Sequence, residues 1–164
     1  RLPVRVVLDK LSVDDLYRIL QQSEGSVIKQ YTTSFRAFGI DVIFSDDSLR
    51  AIAELAALEN TGARGLLTVC ERVLRDFKYE LPSSTTRQFV VTRSLVEHPE
   101  EELHRLLHDP DYEHRQVMRQ CVREYAAQFA RRHGLKLQFE EATAEGIIER
   151  KASGRGWHRV EASA

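Results

Sequence analysis

Apolar residues return every three or four positions through most of the chain and alternate in only a few short stretches. Leu16, Ile19 and Leu20 recur behind Ser12, with Asp14 and Asp15 in the first turn, which predicts a helix capped by Ser12. Val27, Tyr31 and Phe35 predict a second helix, with Gly39 as its stop. "DVIF" at 41–44 reads as a brief strand, and Asp46 or Asp47 caps a third helix carrying Leu49, Ile52, Leu55 and Ala56. Asn60, Thr61 and Gly62 close that helix. Leu66, Leu67, Cys70, Val73, Leu74 and Phe77 then predict a fourth, with Glu71 and Arg75 paired at i,i+4, until Pro82 ends it.

"LPVRVVL" at 2–8 alternates Val4, Val6 and Leu8 and reads as a strand, as does "RQFVVTRSLV" at 87–96. From His98 the pattern changes. Pro99 followed by three glutamates predicts a helix start, and "DPD" at 109–111 breaks that helix. A long helix follows with Val117, Cys121, Val122, Tyr125 and Phe129 facing inward. "LKLQF" at 135–139 reads as a strand, and a short helix lies around Ile147 and Ile148. Helices around a few short strands argue an α+β fold. The organisation expected is a unit over 1–97 and a mostly helical extension over 98–164.

The two parts echo one another. Tyr31 answers Tyr125, Phe35 answers Phe129, Gly39 answers Gly134, Phe44 answers Phe139 and Ile52 answers Ile147. "GARG" has a counterpart in "SGRG", with Arg155 answering Arg64. A degenerate second copy of the first unit and an ordinary helix, glycine, strand, helix succession both fit this pattern.

The chain has 164 residues, is 42% hydrophobic and carries a net charge of −1. That is enough for one ordinary core or two small ones, with no global field toward nucleic acid or anionic lipid. No apolar run approaches the ~18 residues of a membrane span, and no signal-peptide pattern opens the chain. Arg1 is the first residue and Met118 the sole methionine, so a fragment or a processed product of a longer polypeptide is expected. Cys70 and Cys121 lack CxxC spacing and read as reduced thiols of a cytoplasmic protein. His98, His104, His108 and His114 cluster within a charged helical stretch; i,i+4 spacing would allow zinc at His104 and His108, and a solvated face is the reading preferred. No metal site is expected.

Arg64 is the odd residue. In the first turn of the fourth helix a cation faces the positive end of the macrodipole, which costs roughly 0.3–1 kcal/mol. A solvated surface charge is one explanation. The other is an anion that completes the site, since helix N-termini offer N–H groups to phosphate and an arginine adds a fork of donors. Gly62 and Gly65 flank it and would let a ligand approach the backbone.

"RLPV" at 1–4, "GIDVIFSDDSLRAIAELA" at 39–56 and "TGARGL" at 61–66 together resemble the end of the ATPase module in ClpX-like AAA+ protein unfoldases of the Clp/HSP100 type. The resemblance covers about residues 1 to 97 and implies the small C-terminal (lid) domain. It implies that Arg64 is the sensor-2 residue reaching the terminal phosphates of ATP, with Gly62 and Gly65 beside it. It implies that Arg1 is the arginine finger, acting in trans on ATP held by a neighbouring subunit. ATP and Mg2+ belong to the full-length parent. Partners implied are neighbouring subunits of a homo-oligomeric, hexameric ring, protein substrates and, further off, a ClpP-like peptidase, with neither nucleic acid nor membrane. No GxxxxGK[ST] loop and no acidic strand end occur in the sequence, so the fragment itself is expected to hold no cofactor and to hydrolyse nothing. From His98 the chain departs from the family, where a short tail and a final strand are expected. The alternative is a non-catalytic adaptor or protein-binding module built on the same fold.

Overall fold

A computed structural model describes residues 9–22, 27–109 and 111–133. The chain divides into two compact units, 1–113 and 114–164.

In the first unit, α1 (Val13–Gln22) starts at a reciprocal cap. Ser12 Oγ accepts from Asp15 N at 3.2 Å, and Asp15 Oδ2 accepts from Ser12 N at 3.0 Å, so two otherwise orphaned amides are satisfied. α1 buries Leu16 and Leu20, while Ile19 stays half-buried. α2 (Val27–Arg36) buries Phe35 and ends at Gly39, whose φ of 75° suits glycine. Strand β1 (Asp41–Phe44) leads into α3 (Asp46–Leu58). The cap of α3 is Ser45, one residue before the aspartates expected to fill that role. Ser45 does two jobs: its Oγ accepts from Ser48 N and donates to Val91 O at 2.8 Å. It thereby ends the strand, starts the helix and ties both to β2 (Gln88–Val91).

α4 (Arg64–Glu80) follows, and a 3-10 turn at Leu81–Ser83 carries the chain to β2. β1 and β2 pair in parallel, with Asp41 opposite Gln88 and Phe44 opposite Val91. Parallel partners need a long crossover, and α3 with α4 supply it. The fold is α+β, mostly helical around this small sheet. The strand expected over 87–96 is cut to four residues because Thr92 caps a further helix, α5 (Arg93–Glu97), accepting from Leu95 N.

Phe89 sits at the centre of the core, edge-on to Phe35 at 5.3 Å and stacked on Phe77 at 5.6 Å between centroids. Leu66, Val69, Cys70, Val73 and Leu74 of α4 and Ile52, Ala53 and Ala56 of α3 close around it. Leu67 does not join them and is 48% exposed. No ion pair joins Glu71 to Arg75 among the described residues; Arg72 pairs instead with Glu59 at 3.2 Å.

α6 (Pro99–His108) adds Leu103 and Leu106 to the same core as Leu95 and Val96, and the first unit runs on to residue 113. Glu102, buried, accepts from Ser94 Oγ at 2.9 Å, from Arg105 Nη1 at 3.1 Å and from the Tyr112 hydroxyl. Glu113 accepts from the Gln88 amide at 2.8 Å on the edge of β2. The reach of the unit to 113 therefore has a polar reason as well as an apolar one.

α7 (Tyr112–His133) carries the described part of the second unit. None of its residues expected to face inward is buried: Val117, Val122 and Phe129 are half-buried, Cys121 and Tyr125 exposed. The apolar positions are interleaved with Arg115, Arg119, Arg123 and Glu124, so the helix has no broad apolar face. "LKLQF", the helix around Ile147 and Arg155 lie outside the described residues, and so does the question of a degenerate second copy.

Candidate functional site

Arg64 is the first residue of α4. The loop before it makes two left-handed steps, Asn60 at φ 53° and Gly62 at φ 65°. Asparagine and glycine are the residues that enter this region at least cost, and the first step ends α3. The N-cap position of α4 is Ala63, which has no side chain to offer the amides. Gly65 N instead donates to Gly62 O at 3.0 Å and Leu66 N to Ala63 O at 3.2 Å, so the first turn is tightened into the loop.

The Arg64 side chain is exposed and makes no hydrogen bond or ion pair with any described residue. Its backbone carbonyl accepts from Thr68 Oγ1 at 3.3 Å. The guanidinium thus stands at the positive end of a helix with no counter-charge paired to it among the described residues. Leu67, one turn on, and Leu58, at the end of α3 and 76% exposed, leave apolar surface near it in sequence.

Both glycines have work in the fold. Gly62 supplies a positive φ. Gly65 lets α4 close on α3: a Cβ there would stand 2.9 Å from Ala56 O and 3.0 Å from Thr61 Oγ1. The room that the sequence suggested for a ligand at Gly65 is filled by α3. Gly62, Arg64 and Gly65 are brought together in one turn, whereas Arg1 lies outside the described residues. Sequence reasoning missed Lys10, whose Nζ donates to Asn60 Oδ1 at 3.2 Å, and the Glu59–Arg72 pair behind the loop. Nothing local to Lys10 signals a partner fifty positions on; Asn60 could have been suspected from its place before Thr-Gly.

The imidazoles of His104 and His108 stack at 4.1 Å, with His108 Nδ1 on the His104 carbonyl at 2.9 Å. Among the described residues no three His, Cys, Asp or Glu side chains converge on a point where a metal could sit. Cys70 is a free, buried thiol and Cys121 a free, exposed one. Burial pushes the Cys70 thiol up from 9.0 to about 12, which keeps it protonated and inert. No helix among the described residues is long and apolar enough to cross a membrane.

The ATP-dependent Clp protease ATP-binding subunit ClpX of Borrelia duttonii is 45% identical over 97 residues, which are 58% of this chain and 23% of that protein. The ATP-dependent protease ATPase subunit HslU of a Geobacillus strain is 43% identical over 102 residues, 59% of this chain and 22% of its own length. The ATP-dependent protease ATPase subunit ClpY of Bacillus subtilis is 40% identical over 102 residues, with the same coverage. This chain carries a ClpX-like C-terminal domain. It is a relative of ATP-dependent protease ATPase subunits and spans about a quarter of the length of the curated relatives it matches. No family model matches it. In the ClpX-like domain Arg64 is exposed at the start of α4, where Gly65 brings that helix close to α3.

Proposed function

We propose that this chain works as the small C-terminal domain of an ATP-dependent AAA+ unfoldase, the regulatory subunit of a protease, in a cytoplasmic ring. The observation that carries the reading is Arg64: exposed, unpaired among the described residues, and set against the dipole at the start of α4. In this reading Arg64 is the sensor-2 residue, and its guanidinium binds the terminal phosphate of ATP held by a large domain. Charge-assisted, two-pronged hydrogen bonds to phosphate oxygens are what a guanidinium supplies and what a lysine at the same place would supply less well. Gly62 and Gly65 hold the turn that aims it. Arg1 is the arginine finger of the same scheme and acts on the nucleotide of a neighbouring subunit.

The residues present fit only part of Mg-ATP. One guanidinium at the positive end of a helix suits a terminal phosphate, while the Gly65 and Leu66 amides are already bonded within the loop. The sequence supplies neither a phosphate-cradling loop nor an acidic strand end to hold Mg2+, so both come from the large domain in this proposal. When bound, the metal neutralises phosphate charge; Arg64 would add to that as charge develops during transfer. Protein substrates, a ring of identical subunits and a ClpP-like peptidase partner follow from the same reading.

Arg64→Ala in the full polypeptide carrying this domain tests the proposal. Hydrolysis or its coupling to substrate unfolding should fall about tenfold or more, with the small domain still folded. Removal of a first-turn cation should, if anything, stabilise α4 slightly. Unchanged hydrolysis and unfolding would leave Arg64 a surface charge and favour the adaptor reading.

A further inference from the structure

Asn60 is the only described non-glycine residue with a positive φ, and a side chain in that region is retained where its surroundings hold it. What holds it comes from both sides. Glu59, next to it, pairs with Arg72 of α4 at 3.2 Å. From fifty positions earlier in the chain, Lys10 Nζ donates to Asn60 Oδ1 at 3.2 Å. Leu11, which follows, places its Cδ1 4.0 Å from where a Cβ on Gly62 would stand. Two consecutive residues at the start of the unit therefore rest on the two left-handed positions of the Arg64 loop.

We infer that Lys10 and Asn60 form a clasp through which the segment entering the unit sets the position of Arg64. The inference rests on the reading of Arg64 as the phosphate-sensing residue. Lys10 and Leu11 close the stretch of chain that leads into α1. A displacement arriving along that stretch acts on Asn60 through the lysine and on Gly62 through Leu11. The loop cannot move alone, because the amides of Gly65 and Leu66 are bonded to the carbonyls of Gly62 and Ala63. Movement of the entry is thus passed to the first turn of α4 within a few residues. Lys10 and Asn60 are positioning residues that act on phosphate only through Arg64.

The test needs no nucleotide and uses the full chain. Amide exchange at Gly65 and Leu66 reports opening of the loop, since their acceptors lie in it. Lys10→Met keeps the apolar stem, and Asn60→Gly keeps the left-handed backbone, while each removes one half of the clasp. Each should speed exchange at Gly65 and Leu66 about fivefold, the effect of losing one exposed hydrogen bond. The double variant should exchange no faster than either single one, because both remove the same contact. Lys10→Arg should restore the slow rate, and melting should be no lower than in the parent chain. Unchanged exchange, additive acceleration in the double variant, no rescue by arginine, or acceleration along the whole of α4 would each overturn the clasp. Those outcomes leave the role of Arg64 untouched, which stands or falls on hydrolysis by Arg64→Ala.

Discussion

Gly65→Ala measures how tightly the turn bearing Arg64 is built. Gly65 is buried, and a Cβ there meets Ala56 O at 2.9 Å, Thr61 Oγ1 at 3.0 Å and Ala56 Cα at 3.4 Å. Two of these three atoms belong to the backbone of α3, so no rotation of a side chain relieves the clash; α3 and α4 must move apart. Overpacking of this kind costs about 1–3 kcal/mol. Replacing glycine in a helix returns up to about 1 kcal/mol, and less in a first turn. The balance is a loss of about 1–2 kcal/mol, or roughly 4–8 °C in melting temperature for a unit of this size. Urea unfolding followed by circular dichroism gives the free energy, and the amide signals of Ala56 and Thr61 should shift with it. Gly62→Ala is the control: its cost is backbone strain at φ 65°, about 1–2 kcal/mol, with Leu11 Cδ1 at 4.0 Å the nearest atom. It should leave the Ala56 signal in place. A Gly65→Ala chain as stable as the parent, with Ala56 unmoved, would refute the close approach of α4 to α3.

Two further predictions concern the core. Glu102→Ala removes a buried carboxylate that takes bonds from Ser94, Arg105 and Tyr112; unfolding free energy should fall by about 2–3 kcal/mol in a urea titration, with Arg105 contributing little because it is solvated. The Cys70 thiol, raised from 9.0 to about 12 by burial, binds its proton more tightly in the folded state than in the unfolded one. Its contribution is therefore intact below pH 9 and lost as pH rises toward 12, about 2 kcal/mol at roughly pH 10.5, and Cys70→Ala should flatten that part of the stability curve.

The helices of the first unit were legible because their apolar residues keep one period and their ends carry local signals. Ser12, Gly39, Pro82 and Pro99 each act within a few positions of where they stand, and each ended or began an element as read. The misplaced features depend on distant partners. Ser45 outcompetes the aspartates after it as a cap because its hydroxyl also reaches Val91, 46 positions on. "RQFVVTRSLV" has strand composition throughout, yet Thr92 turns its second half into a helix by bonding the Leu95 amide. The inward face expected for α7 rested on five apolar residues, and periodicity alone says nothing of whether a second surface exists to cover them. At the site, Arg64 stood out because its charge opposes the dipole. Gly65 was legible as a close approach, but what approaches it is a neighbouring helix, and that required the crossover of α3 and α4 to be known.

If Arg64 senses the terminal phosphate, its loss must alter discrimination between ATP and ADP. Dissociation constants for ADP and for a slowly hydrolysed ATP analogue would be measured by calorimetry on the full polypeptide carrying this domain, with Arg64 present and with Arg64→Ala. Affinity for the ATP analogue should drop about tenfold or more in the variant, the scale of one charge-assisted contact, while ADP binding changes little. Equal affinities for the ATP analogue in the two proteins, or an equal loss for both nucleotides, would contradict that role.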